Sequence, residues 1–219
     1  MTADPETVRC SPATAARIVF GAAPDALTAI YEDDVNAAVW QRPVAHLPPP
    51  GRVARQLRDI AIEGCVPAAN VTRWLAERLP DGPAALCEDV AELAAMYACL
   101  FDVDSLGLRL KTLDRAMCPR FHVDRVVCRL LTTYEGPGTE YLANEDVDRS
   151  QLGRPLADPL PLPALHDNVS VRRLPAGAVV LCKGESWPGN EGRGFVHRSP
   201  RPGACPRVML SIDGLGGGR

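Results

Sequence analysis

Four side chains in this sequence could hold a metal ion with an organic acid beside it. His122 and Asp124 sit two apart in Cys118-Pro119-Arg120-Phe121-His122-Val123-Asp124. His197 lies far downstream in Gly194-Phe195-Val196-His197-Arg198-Ser199, and Arg207 opens Arg207-Val208-Met209-Leu210-Ser211-Ile212. Two imidazoles and one carboxylate are the ligand set of a non-haem iron(II) site that keeps coordination positions open. An arginine beyond the last ligand can clamp a carboxylate through paired charge-assisted hydrogen bonds. The other two histidines have poorer settings. His46 precedes Pro48-Pro49-Pro50, and His166 follows the proline-rich stretch from Pro155 to Pro163.

Strands can position these residues. Side chains two apart on a strand point to one face, so His122 and Asp124 can chelate one ion from one strand end. The third ligand must come from a strand distant in sequence and adjacent in space. Residues 104–213 read as strands: Leu106 to Leu113, Arg125 to Tyr134, Val169 to Leu174, Ala178 to Lys183, Gly194 to Arg198, and Arg207 to Ile212. Counted straight along the second of these, Val126, Cys128, Leu130, Thr132 and Tyr134 continue the face that carries His122 and Asp124.

Residues 16–103 read as a mainly helical layer. Asp25 to Tyr31 suits a short helix, and Val35 to Val44 an early strand. Pro48-Pro49-Pro50-Gly51 breaks the chain. Three helical patterns follow: Arg52 to Ile62, a stretch opening at Asn70 as N-cap, and Ala84 to Leu100 with Leu86, Val90, Leu93, Tyr97 and Leu100 on one face. Asp81 and Pro83 suit the start of the last. Residues 1–15 and 214–219 are expected to be flexible ends. The expected fold is α+β: a double-stranded β-helix, or cupin-like jelly roll, backed by an N-terminal helical layer.

Composition narrows the function classes. A net charge of −3 argues against nucleic acid as a partner. No run approaches 18 apolar residues, and residues 1–6 lead into no apolar signal core, so a cytoplasmic protein without a membrane span is expected. The eight cysteines include no C-x-x-C pair, which speaks against a zinc knuckle and for reduced thiols. Cys128 shares the counted parity of the ligands and reads as a small buried hydrophobe.

The order His122-x-Asp124, distant His197, then Arg207 resembles the iron(II)/2-oxoglutarate-dependent oxygenases. That resemblance implies Fe(II) on the three ligands and 2-oxoglutarate clamped by Arg207, with Ser211 and Tyr134 as further partners of its carboxylate. Those oxygenases often carry a serine two residues after the arginine. Met209 occupies that place here, and Ser211 stands four away. Arg129 and Trp187 are candidate contacts for a small-molecule or protein substrate or partner.

A second resemblance covers most of the chain from about residue 30. Asn36-Ala37-Ala38-Val39-Trp40-Gln41-Arg42, the run from Phe121 to Glu140, Lys183-Gly184-Glu185-Ser186-Trp187-Pro188-Gly189-Asn190, and Val196-His197-Arg198-Ser199-Pro200 are similar to the bacterial family DUF1826. This likeness implies a link to zinc homeostasis and keeps zinc as the alternative metal, with Cys118 as a further donor if its loop folds back. A non-catalytic barrel that binds a small molecule or partner is the remaining reading.

Overall fold

The computed structural model describes residues 16–42, 53, 60–153, 162–201, 203 and 206–215. The helical pattern expected from Arg52 and the two flexible ends fall mostly or wholly outside them. Among the described residues ten strands occur in chain order: β1 Arg17–Gly21, β2 Val35–Trp40, β3 Ala61–Pro67, β4 Ser105–Leu113, β5 Cys128–Glu135, β6 Glu140–Tyr141, β7 Arg172–Arg173, β8 Val179–Lys183, β9 His197–Arg198 and β10 Arg207–Gly214. Two α-helices, α1 Val71–Arg78 and α2 Ala84–Phe101, lie between β3 and β4. A 3₁₀ helix spans Pro24–Tyr31.

Seven strands form one sheet in the order β1-β2-β8-β5-β10-β4-β3, and β7-β6-β9 form a smaller one. Within the large sheet only β1 and β2 pair in parallel. Its edges, β1 and β3, do not meet, so no closed barrel forms among the described residues. The protein is mostly β. Strands β1, β2 and β3 come from residues 16–103, so that segment supplies three strands of the large sheet as well as the helices that pack on it.

Alternation along the strands explains the two faces. Leu106, Leu108 and Leu110 of β4, Leu130 of β5, and Val208, Leu210 and Ile212 of β10 share one core with α2. Leu86, Val90, Leu93 and Tyr97 supply the helix side of that core, at the three-to-four spacing of one helical stripe. Each fully buried leucine there stabilises the fold by roughly 1.5–3 kcal/mol. Asp102 ends the helix in the left-handed region at φ 50°. Asn70 holds the N-cap position of α1 without a side-chain capping bond. No helix among the described residues is long and apolar enough to cross a membrane.

The opposite face of the large sheet packs on the small one. Ala37, Val39, Leu131, Val180, Cys182 and Met209 meet Tyr141, Leu174 and Phe195. This interior opens into a cavity of about 300 Å³ lined by residues of β4, β5, β9 and β10 and of the 117–124 segment.

Candidate metal centre

His122 and His197 reach the cavity through a short antiparallel bridge. Each backbone N–H donates to the other's carbonyl at 3.0 Å. Nδ1 of His122 lies 2.9 Å from the Arg120 carbonyl, and Nδ1 of His197 lies 3.1 Å from the Phe195 carbonyl. A carbonyl can only accept, so Nδ1 carries the proton in each neutral ring and Nε2 keeps its lone pair. Both Nε2 atoms face Asp124, at 3.5 Å from its Oδ1 for His122 and 3.4 Å from its Oδ2 for His197. One ligand atom from each of the three residues falls within 4.8 Å of the others.

Asp124 is buried, and its Oδ2 has no hydrogen-bond partner among the described residues. A buried carboxylate oxygen left unsatisfied is costly unless a cation completes it. Its acidity fits the same picture. Burial pushes the carboxyl pKa up, but the two histidines and the Arg129 charge outweigh it and hold it far below the usual carboxylate range. The residues therefore fit a divalent metal: two imidazole nitrogens and one carboxylate oxygen converge, each with a free lone pair.

Arg129 fixes the other oxygen. Its Nη1 lies 2.7 Å from Asp124 Oδ1, while Nε and Nη2 grip Asp213 at 2.6 and 2.8 Å. Arg129, expected as a substrate contact, is thus held between two carboxylates. Asp213 also takes Arg109 Nη1 at 2.8 Å.

Arg207 is buried at the far end of β10. Its donors go to hydroxyls: Thr133 at 3.0 and 3.3 Å, Thr139 at 2.7 Å and Ser199 at 3.5 Å. No carboxylate pairs with it among the described residues. Burial pulls its pKa down to about 10, against a smaller upward push from the Glu140 charge, which still leaves it charged at neutral pH. Ser211 lines the same cavity, on the same face of β10 as Arg207 and Met209.

Tyr134 is not there. It lies in the core shared with α2, where its hydroxyl donates to Asp89 Oδ2 at 2.7 Å. Cys128 lies in the same core. The reason is a bend at residues 125–127, between the metal ligands and β5. Counting every second residue through that bend reverses the faces. Arg129, Leu131 and Thr133 face the site side, whereas Cys128, Leu130 and Tyr134 face the helix.

Trp187 is also elsewhere. It packs against Tyr31 and Phe101, with the Lys183 ammonium 4.6 Å from its ring centre. Its loop has another connection to the site. Gly184 donates to the Val127 carbonyl, Glu185 to that of Asp124 and Ser186 to that of Val126. A Cβ on Gly184 would fall 2.1 Å from the Val126 carbonyl oxygen and 2.6 Å from that of Asp124. Gly194 is equally tight against Val123, at 2.2 Å. These glycines, with Thr133, Thr139, Ser199 and Asp213, are site residues that sequence reasoning missed. The glycines offered a signal: Gly184 stands in the segment read for its tryptophan, and Gly194 opens the one read for His197.

Cys118 lines the cavity but is not part of the three-residue ligand cluster. His166 contacts Asp146 at 3.2 Å, exposed and outside that cluster.

Among solved structures, the chain is similar to the dioxygenase for auxin oxidation of rice, at 18% identity over 92% of this chain and 83% of that one, with a TM-score of 0.48. It is similar to dioxygenase for auxin oxidation 1 of Arabidopsis thaliana, solved with 2-oxoglutarate, at 12% identity over 80% and 75% and a TM-score of 0.45. A Pseudomonas putida prolyl-4-hydroxylase matches at 14% identity over 78% of this chain and 98% of that one, with a TM-score of 0.32. No curated protein matches the sequence. The model of a family described as a protein of unknown function, DUF1826, matches residues 21–213, and the chain belongs to that family.

Proposed function

We propose that this chain is an iron(II)- and 2-oxoglutarate-dependent oxygenase on a double-stranded β-helix scaffold. The observation that carries the reading is Arg207: a buried guanidinium that donates only to hydroxyls among the described residues, in one cavity with a convergent His/Asp/His set. A metal-binding protein without a cosubstrate has no use for that cation, because a guanidinium cannot ligate a metal.

The spacing suits a five-carbon dicarboxylate. Ser199, which Arg207 touches, stands two residues after His197 on an extended stretch. Two residues of a strand cover roughly 6.5–7 Å. A keto acid whose one end lies at the His197 ligand can therefore set its far carboxylate on Arg207.

Each residue then has a task. His122 and His197 would hold the metal through Nε2, and Asp124 through Oδ2. Arg129 occupies Asp124 Oδ1 and so leaves a single carboxylate oxygen for the metal. Arg207 orients the distal carboxylate, with Thr139 and Ser199 beside it. Leu131 and Met209 line the cavity with apolar surface that excludes water. Iron(II) with 2-oxoglutarate supplies, when bound, C–H oxidation coupled to decarboxylation of the keto acid.

Zinc accepts the same three donors. The thiol that would favour it, Cys118, stands outside the ligand cluster. Titration of 2-oxoglutarate into the Mn(II)-loaded protein with oxygen excluded tests the assignment, followed by an aerobic succinate assay with Fe(II). Saturable binding is expected. Absence of binding at millimolar 2-oxoglutarate overturns the oxygenase reading and leaves zinc handling in its place.

A further inference from the structure

We infer that the primary substrate of this cavity is an anion, a small carboxylate or phosphate, held on Arg109 and Lys111 of β4. The identity of the reaction rests on the oxygenase reading; the anion site rests on the following geometry.

The cavity lining is rich in cationic side chains. Arg109, Lys111, Arg129, Arg198 and Arg207 contribute to it, against Asp124 alone. Three of those cations have assignments. Arg207 serves the cosubstrate. Arg129 is locked on Asp124 and Asp213. Arg198 donates to Glu140 at 2.7 Å and lies over the Phe121 ring.

Arg109 and Lys111 remain. Arg109 uses Nη1 on Asp213, whose two oxygens already serve Arg129. Its Nε and Nη2 have no partner among the described residues, and its side chain is 40% exposed. Nε and Nη2 form the edge of a guanidinium that receives a carboxylate or phosphate in paired fashion. Lys111 pairs with Glu63 at 2.5 Å, but Glu63 is 58% exposed on the neighbouring strand. Such a surface pair contributes little and yields to a better-placed anion.

Position supports the same conclusion. Arg109 stands opposite Ser211 and Lys111 opposite Met209, so both flank the middle of β10. The cosubstrate track runs from the ligands to Arg207, and β4 borders it one strand spacing away, about 4.8 Å. A divalent metal and a dianionic cosubstrate cancel in charge, so their binding leaves the Nε/Nη2 edge of Arg109 and the weakly paired Lys111 as the donors still open on this wall. A cationic substrate would be repelled, and a neutral one would leave the Arg109 edge unmatched.

The test uses protein loaded with Mn(II), saturated with 2-oxoglutarate and kept oxygen-free. Benzoate, inorganic phosphate and benzamide are titrated by calorimetry. Benzoate or phosphate should bind at least about tenfold more tightly than the neutral amide, and the Arg109→Gln/Lys111→Gln protein should lose about tenfold in that affinity. Lys111→Met alone, whose partner is exposed, gives the same direction should the double variant fold poorly. Benzamide binding as well as benzoate, unchanged anion affinity in the variants, or anions that only displace 2-oxoglutarate would each overturn the proposal. If 2-oxoglutarate fails to bind while phosphate still binds through Arg109 and Lys111, the oxygenase reading falls and the anion site stands.

Discussion

Asp124 and Arg129 meet through one oxygen only. Oδ1 receives the guanidinium at 2.7 Å, and Oδ2 is buried without a hydrogen bond among the described residues, 3.4 Å from Nε2 of His197. The carboxylate is thereby oriented with a single oxygen available to a cation. Asp124→Ala should strip most bound metal while the fold persists, because the cores on both sheet faces do not include this residue. Metal analysis after dialysis, with a melting curve as control, checks this. Full metal occupancy in the variant would place the ligands elsewhere.

Proton competition gives the metal site a pH dependence. Burial lowers the pKa of His122, but the Asp124 carboxylate and the Arg120 carbonyl outweigh it, and the net shift is upward. A metal must displace that proton. Metal affinity should be full above the raised pKa and fall as pH drops through it, beginning above the ordinary value of about 6.5. Stability of the metal-free protein runs the other way. The His122 contribution is fully present below about pH 6.5 and is lost as pH rises through the raised folded-state pKa. Mn(II) dissociation constants and metal-free melting curves between about pH 5.5 and 8.5 should show opposite slopes for this histidine.

Arg207→Ala should leave metal content unchanged and weaken 2-oxoglutarate binding by about 2–4 kcal/mol, a factor of about 30 to 1000. Arg207→Met should also abolish the cosubstrate site. It should raise the stability of the ligand-free protein by about 1 kcal/mol, since it removes a buried charge that no carboxylate contacts among the described residues. Calorimetry and denaturant unfolding separate the two effects. A destabilised Arg207→Met protein would mean that the hydroxyl contacts hold this strand in place.

The Tyr134 hydroxyl belongs to a structural network. Asp89 receives Tyr134 and a bidentate grip from Arg42, all buried between α2 and the sheet. Asp89→Ala should destabilise the protein by about 3–5 kcal/mol, because it leaves a buried arginine without its partner. Tyr134→Phe should cost about 1 kcal/mol and leave 2-oxoglutarate affinity as it was. Any loss of cosubstrate binding in Tyr134→Phe would return this residue to the site.

Gly184→Ala adds a single methyl at a residue outside the ligand set. It would nonetheless collide with the carbonyls of Val126 and Asp124, two backbone atoms that cannot rotate away. The segment that carries Asp124 must shift, and metal affinity should fall by about tenfold or more, comparable to loss of an outer-shell partner. Affinity equal to wild type would show that the ligand loop is looser than its packing implies.

Some of this architecture was legible because the residue types are rare. Four histidines in the chain, one of them two residues before an aspartate, marked His122, Asp124 and His197. The long apolar stripe marked α2 within one residue of its end. The expected strand Val169 to Leu174 shrank to Arg172–Arg173, and Arg17–Gly21 was not foreseen. Short strands owe their existence to neighbours rather than to their own pattern. Thr133, Thr139 and Ser199 surround Arg207 from three segments, a relation that no local spacing encodes. Tyr134 was misplaced for a different reason: alternation is a property of one continuous strand and does not carry through a bend.

That bend has a consequence for what the chain can tolerate. Val127 is about half exposed, and residues 125–127 engage the 184–186 loop through backbone carbonyls of Val126 and Val127. Many side chains are acceptable there. A change in length is not. Losing or gaining one residue between Asp124 and Cys128 obliges either the ligand or the following strand to turn over. In one case the metal loses its carboxylate; in the other Arg129 and Thr133 are driven into the helix-facing core. Three residues of unremarkable composition thus act as a counted spacer, constrained in number where they are free in kind.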